Sequence, residues 1–172
     1  MLKTVRILSK ILYAASLFLA VGYCSTALYS VVLFVFKTPQ FRIIEDGRRF
    51  QMLFPFSDVV FMRGENTFGQ MATMVVLIGL YGLFFAFLSN IFDIFRREKW
   101  FTKQALMSLR VFSIGNIIAP IAAYLFVVAV WETESPAEML VALHALLGVF
   151  TLFLAAIFQQ GLHLQNEQDL II

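Results

Sequence analysis

The chain has 172 residues, of which 60% are hydrophobic, 16% aromatic and 14% charged, with 20 Phe and a formal net charge of +2. Soluble domains carry about a quarter charged residues, so this composition excludes an ordinary water-solvated globule, and the small net charge gives no electrostatic case for direct nucleic-acid binding. The length suits one unit over 1-172 without a second soluble domain, and the single cysteine, Cys24, excludes an intrachain disulfide.

The first element is an apolar run from Ile11 to Phe36, preceded by Lys3, Arg6 and Lys10. It is far longer than the roughly 7–15 apolar residues of a secretory signal core, so it is expected to be retained. Three more runs follow: Met71–Phe92, Val111–Trp131 and Ala137–Phe158. Apart from Glu138 at the entry of the last, none contains Asp, Glu, Lys or Arg. Each meets the length of about 20 residues needed to cross a hydrocarbon core about 30 Å thick. Backbone groups in lipid must be satisfied within their own segment, so each run is predicted to be a helix. The expected fold is an all-α membrane protein, a four-transmembrane-helix bundle with helices at about 11-36, 71-92, 105-131 and 137-165.

The connection between the first two helices carries a different signal. Phe41–Ile44 and Arg49–Phe54 are strand-like runs around Glu45-Asp46-Gly47-Arg48. Asp-Gly between such runs is a strong hairpin signal, because Gly accepts the positive φ of a tight turn. Pro55 limits the second run, since it has no N–H for a ladder. A third run, Val59–Met62, is read as ending before Gly64. The expectation is a small extracytoplasmic β-hairpin element at about 40-64, capping the outer face of the bundle and packed on helix ends, because a lone hairpin is marginal in water.

Orientation follows from the basic residues. The N-terminal segment holds Lys3, Arg6 and Lys10, and the connection between helices two and three holds Arg96, Arg97, Lys99, Lys103 and Arg110. The connection 132–136 holds two acids and no base. The positive-inside rule places the first and middle basic segments, and with an even helix count both termini, in the cytoplasm. Thr102 is a predicted N-cap for a helix from Lys103, running along or into the membrane with Ala105, Leu109 and Phe112 on one face. The fourth helix is expected to continue past Phe158 into water as Gln159–Leu170.

Ionisable groups at membrane depth usually mark function, because they are costly there. The candidate intramembrane polar residues are His144 and Asn116, the latter one turn before Pro120, which frees a carbonyl that Asn116 could satisfy unless it pairs across helices. His144 and His163 are nineteen residues apart, about 28 Å along one helix, and cannot share a metal. No metal or cofactor is expected, nor any catalytic residue, since no phosphate loop, nucleophile elbow or paired carboxylates occur. The buried-run hydroxyls are expected to bond their own backbone or a neighbouring helix, and Gly79-Leu80-Tyr81-Gly82 to permit close packing or bending.

The tail Ile157-Phe158-Gln159-Gln160-Gly161-Leu162-His163-Leu164-Gln165-Asn166-Glu167-Gln168-Asp169-Leu170 resembles the C-terminal signature of a bacterial membrane family, domain of unknown function 2975. Ile94-Phe95-Arg96-Arg97-Glu98-Lys99-Trp100-Phe101-Thr102 is similar to that family's basic inner loop. Ile171 stands where the family usually has Thr. The resemblance implies four helices, an outer loop with strand character, no established catalysis, and a location in the bacterial inner membrane. Such proteins are often encoded beside a small helix-turn-helix regulator, which implies a cytoplasmic partner of that kind. The candidate docking residues are Arg96, Arg97 and Lys99 on the loop and Gln165, Glu167, Asp169 and Leu170 on the tail. Glu167 and Asp169 are the natural acids for Arg96, Arg97 or Lys99. The expectation is a non-enzymatic sensor or regulator in the lipid bilayer, a homo-oligomer being one further form. The open alternatives are a transporter or channel component lined by Asn116, His144 and Thr151, and a lipid- or quinone-binding structural subunit.

Overall fold

The computed structural model describes residues 2–131 and 137–169. In chain order the elements are α1 (Leu2–Phe36), β1 (Phe41–Ile44), β2 (Arg49–Leu53), β3 (Val60–Glu65), α2 (Phe68–Arg96), α3 (Lys103–Trp131) and α4 (Ala137–Asp169). All four helices are long and apolar enough to cross a membrane. Within the most apolar stretch of each, only 17% of residues are buried in α1, α2 and α4 and 28% in α3. A soluble bundle hides one apolar stripe per helix. Here the apolar surface runs round the outside, the pattern of helices solvated by hydrocarbon.

Between the helices, close approach comes from small residues. A Cβ on Gly82 would lie 2.6 Å from the Cys24 sulfur of α1, and one on Gly148 of α4 would lie 2.9 Å from the Ser113 carbonyl of α3. Glycine at both places lets the backbones meet, as the Gly79–Gly82 stretch suggested. The buried hydroxyls bond as expected: Ser30 Oγ donates to the Thr26 carbonyl at 2.8 Å and Thr151 Oγ1 to that of Leu147 at 2.8 Å, each within its own helix, while Ser113 Oγ donates across to the Gly148 carbonyl at 2.7 Å.

Several helix limits exceed the hydropathy spans. α1 begins at Leu2, because Lys3, Arg6 and Lys10 lower hydropathy without opposing helix. α2 starts at Phe68 behind Thr67, whose side chain accepts from the Gln70 amide at 3.2 Å, and runs on to Arg96. Thr102 caps α3 as predicted, accepting from the Ala105 amide at 3.1 Å. The helix it opens is α3 itself, continuous to Trp131, and not a separate surface segment. Ala105, Leu109 and Phe112 lie buried with Ile91 and Ile94 of α2 and Ala155 and Phe158 of α4, forming one core.

The β-element is a three-stranded antiparallel meander in the order β1-β2-β3. Ile44 pairs with Arg49 around a four-residue turn in which Glu45, Asp46 and Gly47 all take positive φ (53°, 53° and 90°), closed by Arg48 N–H donating to the Glu45 carbonyl at 3.1 Å. β3 runs through Gly64 to Glu65, where a stop before Gly64 was expected. Gly64 is the partner of Phe50, and the Phe50 ring lies 3.0 Å from where its Cβ would be. The ring covers the bare backbone, so the strand survives the glycine. Phe41, Phe50 and Met52 from the sheet bury against Leu33 of α1 and Met71 of α2, forming a second core at the sheet end of the bundle.

Candidate functional site

Two places gather polar chemistry. The first lies inside the bundle. Asn116 of α3 donates through Nδ2 to the Phe112 carbonyl at 2.8 Å, and its Oδ1 is 2.8 Å from Nδ1 of His144 on α4. With Nδ2 committed as donor, Oδ1 is the acceptor and His144 holds its proton on Nδ1. The imidazole is boxed by Phe84 and Tyr81 of α2, with ring centroids 5.2 Å and 6.1 Å away at steep angles. The two intramembrane residues singled out in the sequence therefore meet, and Asn116 pairs across helices. Thr151 points back to its own helix and does not join them.

The second place is the end of the bundle away from the sheet, where α2 turns into α3. Asp93, one residue beyond the apolar run of α2, accepts from Arg96 Nε through Oδ1 and from Arg97 through Oδ2, with Arg97 Nε at 2.8 Å. The spacings i+3 and i+4 put both guanidiniums over one carboxylate, which holds the last turn of α2 closed. From there the arginines diverge. Arg96 stacks on the Tyr13 ring of α1, 4.2 Å from its centroid, while Arg97 Nη1 donates to Gln104 Oε1 of α3 at 2.9 Å. Arg6 of α1 reaches Glu98 at 3.8 Å. One loop thus ties three helices. Asn90, Asp93, Arg97, Lys99, Thr102 and Gln104 line a shallow cleft there.

The fourth helix joins through aromatic packing. Trp100 Nε1 donates to the Arg97 carbonyl at 2.9 Å and turns the loop, so that Phe101 lies against α4. A Cβ on Gly161 would stand 2.6 Å from two atoms of the Phe101 ring, whose centroid is 5.1 Å from that of Phe158. Arg110 Nη2 donates to Gln159 Oε1 at 2.9 Å beside this contact. The inner loop and the tail helix, two segments separated by sixty-odd residues, are thereby placed side by side.

For Arg96, Arg97 and Glu167 the ion pairs differ from the natural pairing read in the sequence. Arg96 and Arg97 face Asp93, and Glu167 lies 3.3 Å from His163 one turn earlier on α4. Local i+3 and i+4 partners on one helix reach each other without bending the chain, whereas the tail acids would have to cross to the loop. Lys99 is exposed, Gln165 half-buried, and Leu170 and the side chain of Asp169 lie outside the described residues. Asp93 and Phe101 are the residues the sequence reading passed over. The signal for Asp93 was an acid three and four residues before two arginines at the end of an apolar run. For Phe101 the signal was its place in the loop stretch Ile94–Thr102 that resembles the family's, which could not name Gly161 as its partner because that residue is remote in sequence.

No curated protein and no solved structure matches the chain. A family model described as "Protein of unknown function (DUF2975)" matches residues 51–172. That span takes in the sheet from Gln51 onward, all of α2, α3 and α4, the Asn116–His144 pair and the joined inner loop and tail, and on it the chain belongs to this family.

Proposed function

We propose that this is a non-enzymatic, multi-pass protein of the bacterial inner membrane that regulates a cytoplasmic partner at its inner end, with both termini in the cytoplasm. The observation that carries the reading is the packing of Phe101 on Gly161 and Phe158. It joins a basic loop to a projecting polar helix and makes one composite surface from two segments. Lys99 on the loop and Leu164 and Glu167 on the tail helix are all exposed, so the two segments offer charge of both signs and an apolar contact. Rim charges of this kind set partner choice more than affinity. The kind of partner, a small helix-turn-helix regulator, comes from the family resemblance.

The intramembrane pair favours a scaffold over a conduit. A pore lining needs polar groups turned toward a passage, and Asn116 and His144 are turned toward each other under Phe84 and Tyr81. The test is affinity capture of the detergent-solubilised full chain against a form lacking residues 167–172. The expected result is a cytoplasmic DNA-binding protein that co-purifies with the full chain and is lost with the tail. Identical sets of co-purifying proteins from both forms would overturn the docking surface.

A further inference from the structure

The outer sheet does not lie flat across the top of the bundle. The ends of α1, α2 and α3 are level: the Phe34 and Phe68 rings are 6.1 Å apart, and Val130 Cγ1 sits 2.4 Å from where a Cβ on Gly69 would be. From Arg110 at the inner end to Val130 is twenty residues, or about 30 Å along α3, the thickness of a hydrocarbon core. Measured from Lys10 to Phe36 on α1, or from Asp93 to Phe68 on α2, the span is about 38–39 Å, so these helices overrun the core and its outer edge lies up to about 9 Å below their ends.

The turn 45–48 sits level with the helix ends, held there by Asn66, which donates through Nδ2 to the Gly47 carbonyl at 2.9 Å just before α2 begins. The opposite end of β2 is lower. Its Leu53 carbonyl accepts from the Tyr29 hydroxyl at 3.0 Å, and Phe61 of β3 packs on the Tyr29 ring at 5.8 Å. Tyr29 lies seven residues before Phe36, the end of α1, which places its Cα about 10 Å closer to the middle of the bundle. The sheet thus descends along the flank of α1, and the β2–β3 loop points toward membrane depth.

That loop is built for such a place. Phe54 and Val59 are exposed, and Phe56 between them is fully exposed at a φ of 58°, a left-handed conformation that aromatic residues rarely adopt. Its polar backbone is partly closed on itself. Phe54 N–H donates to the Val59 carbonyl at 2.9 Å, Ser57 N–H to the Phe54 carbonyl at 3.3 Å, and Val59 N–H to Ser57 Oγ at 3.3 Å. The loop's carboxylate, Asp58, accepts from Arg42 Nη2 at 2.7 Å. An apolar tip with three of its five backbone amides bonded and its carboxylate paired suits the boundary between headgroups and acyl chains, where the Phe56 and Asp58 amides still reach water.

We infer that the β2–β3 tip, led by Phe54, Phe56 and Val59, inserts into the outer leaflet of the lipid bilayer as a second, non-helical anchor. The inference rests on the membrane-spanning part of the function proposed above and not on any cytoplasmic partner. Its occupant is lipid because Phe54 packs on Phe61 and Phe61 on Tyr29, whose α1 neighbours Leu28 and Val32 are exposed apolar residues of a helix long and apolar enough to cross a membrane.

The test uses the full chain with Cys24→Ser, reconstituted in vesicles of phosphatidylethanolamine and phosphatidylglycerol. Nitroxide labels are placed singly at Phe56→Cys, Val59→Cys, Asp46→Cys and, on the lipid-facing side of α1, Val21→Cys. Collision with oxygen is compared with collision with a water-soluble nickel chelate. At 56 and 59 oxygen is expected to dominate, as at 21, with the order reversed at 46. Nickel dominating at both 56 and 59 overturns the inserted tip. Labels there that neither reagent reaches overturn it too, in favour of a protein cover such as a second copy. A label at 21 open to nickel overturns the spanning reading and the tip with it.

Discussion

At the scale of single residues, the interior of this protein is held by a few polar contacts, each with its partner. Asn116 and His144 are the costliest groups to place at membrane depth, and the 2.8 Å contact between them is what makes both tolerable. Hydrogen bonds between membrane helices average about 0.6 kcal/mol in double-mutant cycles, because the unfolded segment in lipid finds other partners. We therefore expect His144→Ala and Asn116→Leu each to destabilise the bundle by about 1 kcal/mol, with a coupling between them of about 0.6 kcal/mol. Unfolding by sodium dodecyl sulfate in mixed micelles checks this, and fully additive losses would show that the two side chains do not bond. Sequence alone marked both residues by their chemistry. It could not pair them, because which turn of α3 faces which turn of α4 is decided by close approach at Gly148, a matter of shape.

Among the elements, what was local was legible. The strands Phe41–Ile44 and Arg49–Leu53 and the turn at Asp46-Gly47 were readable because alternation and positive φ are written in consecutive residues. The continuation of β3 through Gly64 was not, since it depends on a ring from the neighbouring strand. Hydropathy likewise found the spans but not the helix ends, because it reports the solvent and not the backbone. The last turn of α2 is the clearest case. It lies beyond the apolar run and is secured by Asp93, a mostly shielded carboxylate whose arginine partners are 39% and 48% exposed. Discounted for that exposure, the arrangement contributes about 1 kcal/mol. Asp93→Asn should speed hydrogen exchange of the amides from Ile94 to Trp100 roughly five-fold and leave exchange in the outer half of α2 unchanged. Unaltered exchange at 94–100 would show that the helix end does not depend on the carboxylate.

For the whole molecule, the two cores lie at opposite ends: Phe50, Met52 and Leu33 at one, Leu109, Phe112 and Phe158 at the other. If both termini are cytoplasmic, as the basic residues argue, the sheet faces outward. In intact spheroplasts of a Cys24→Ser background, a membrane-impermeant maleimide should then label Asp46→Cys, and should reach Lys3→Cys and Gln168→Cys only after lysis. The reverse pattern would invert the topology. α4 links these ends as one helix of 33 residues, about 50 Å long. Unlike α3, which carries Pro120 in its interior, it has no proline to absorb a bend. Near its outer start Glu138 accepts from the Tyr124 hydroxyl at 3.1 Å, and near its inner end Gly161 receives Phe101. Fixed by the Tyr124 hydroxyl near one end and by the Phe101 ring near the other, it is a single strut whose two ends cannot turn independently without breaking one of those contacts.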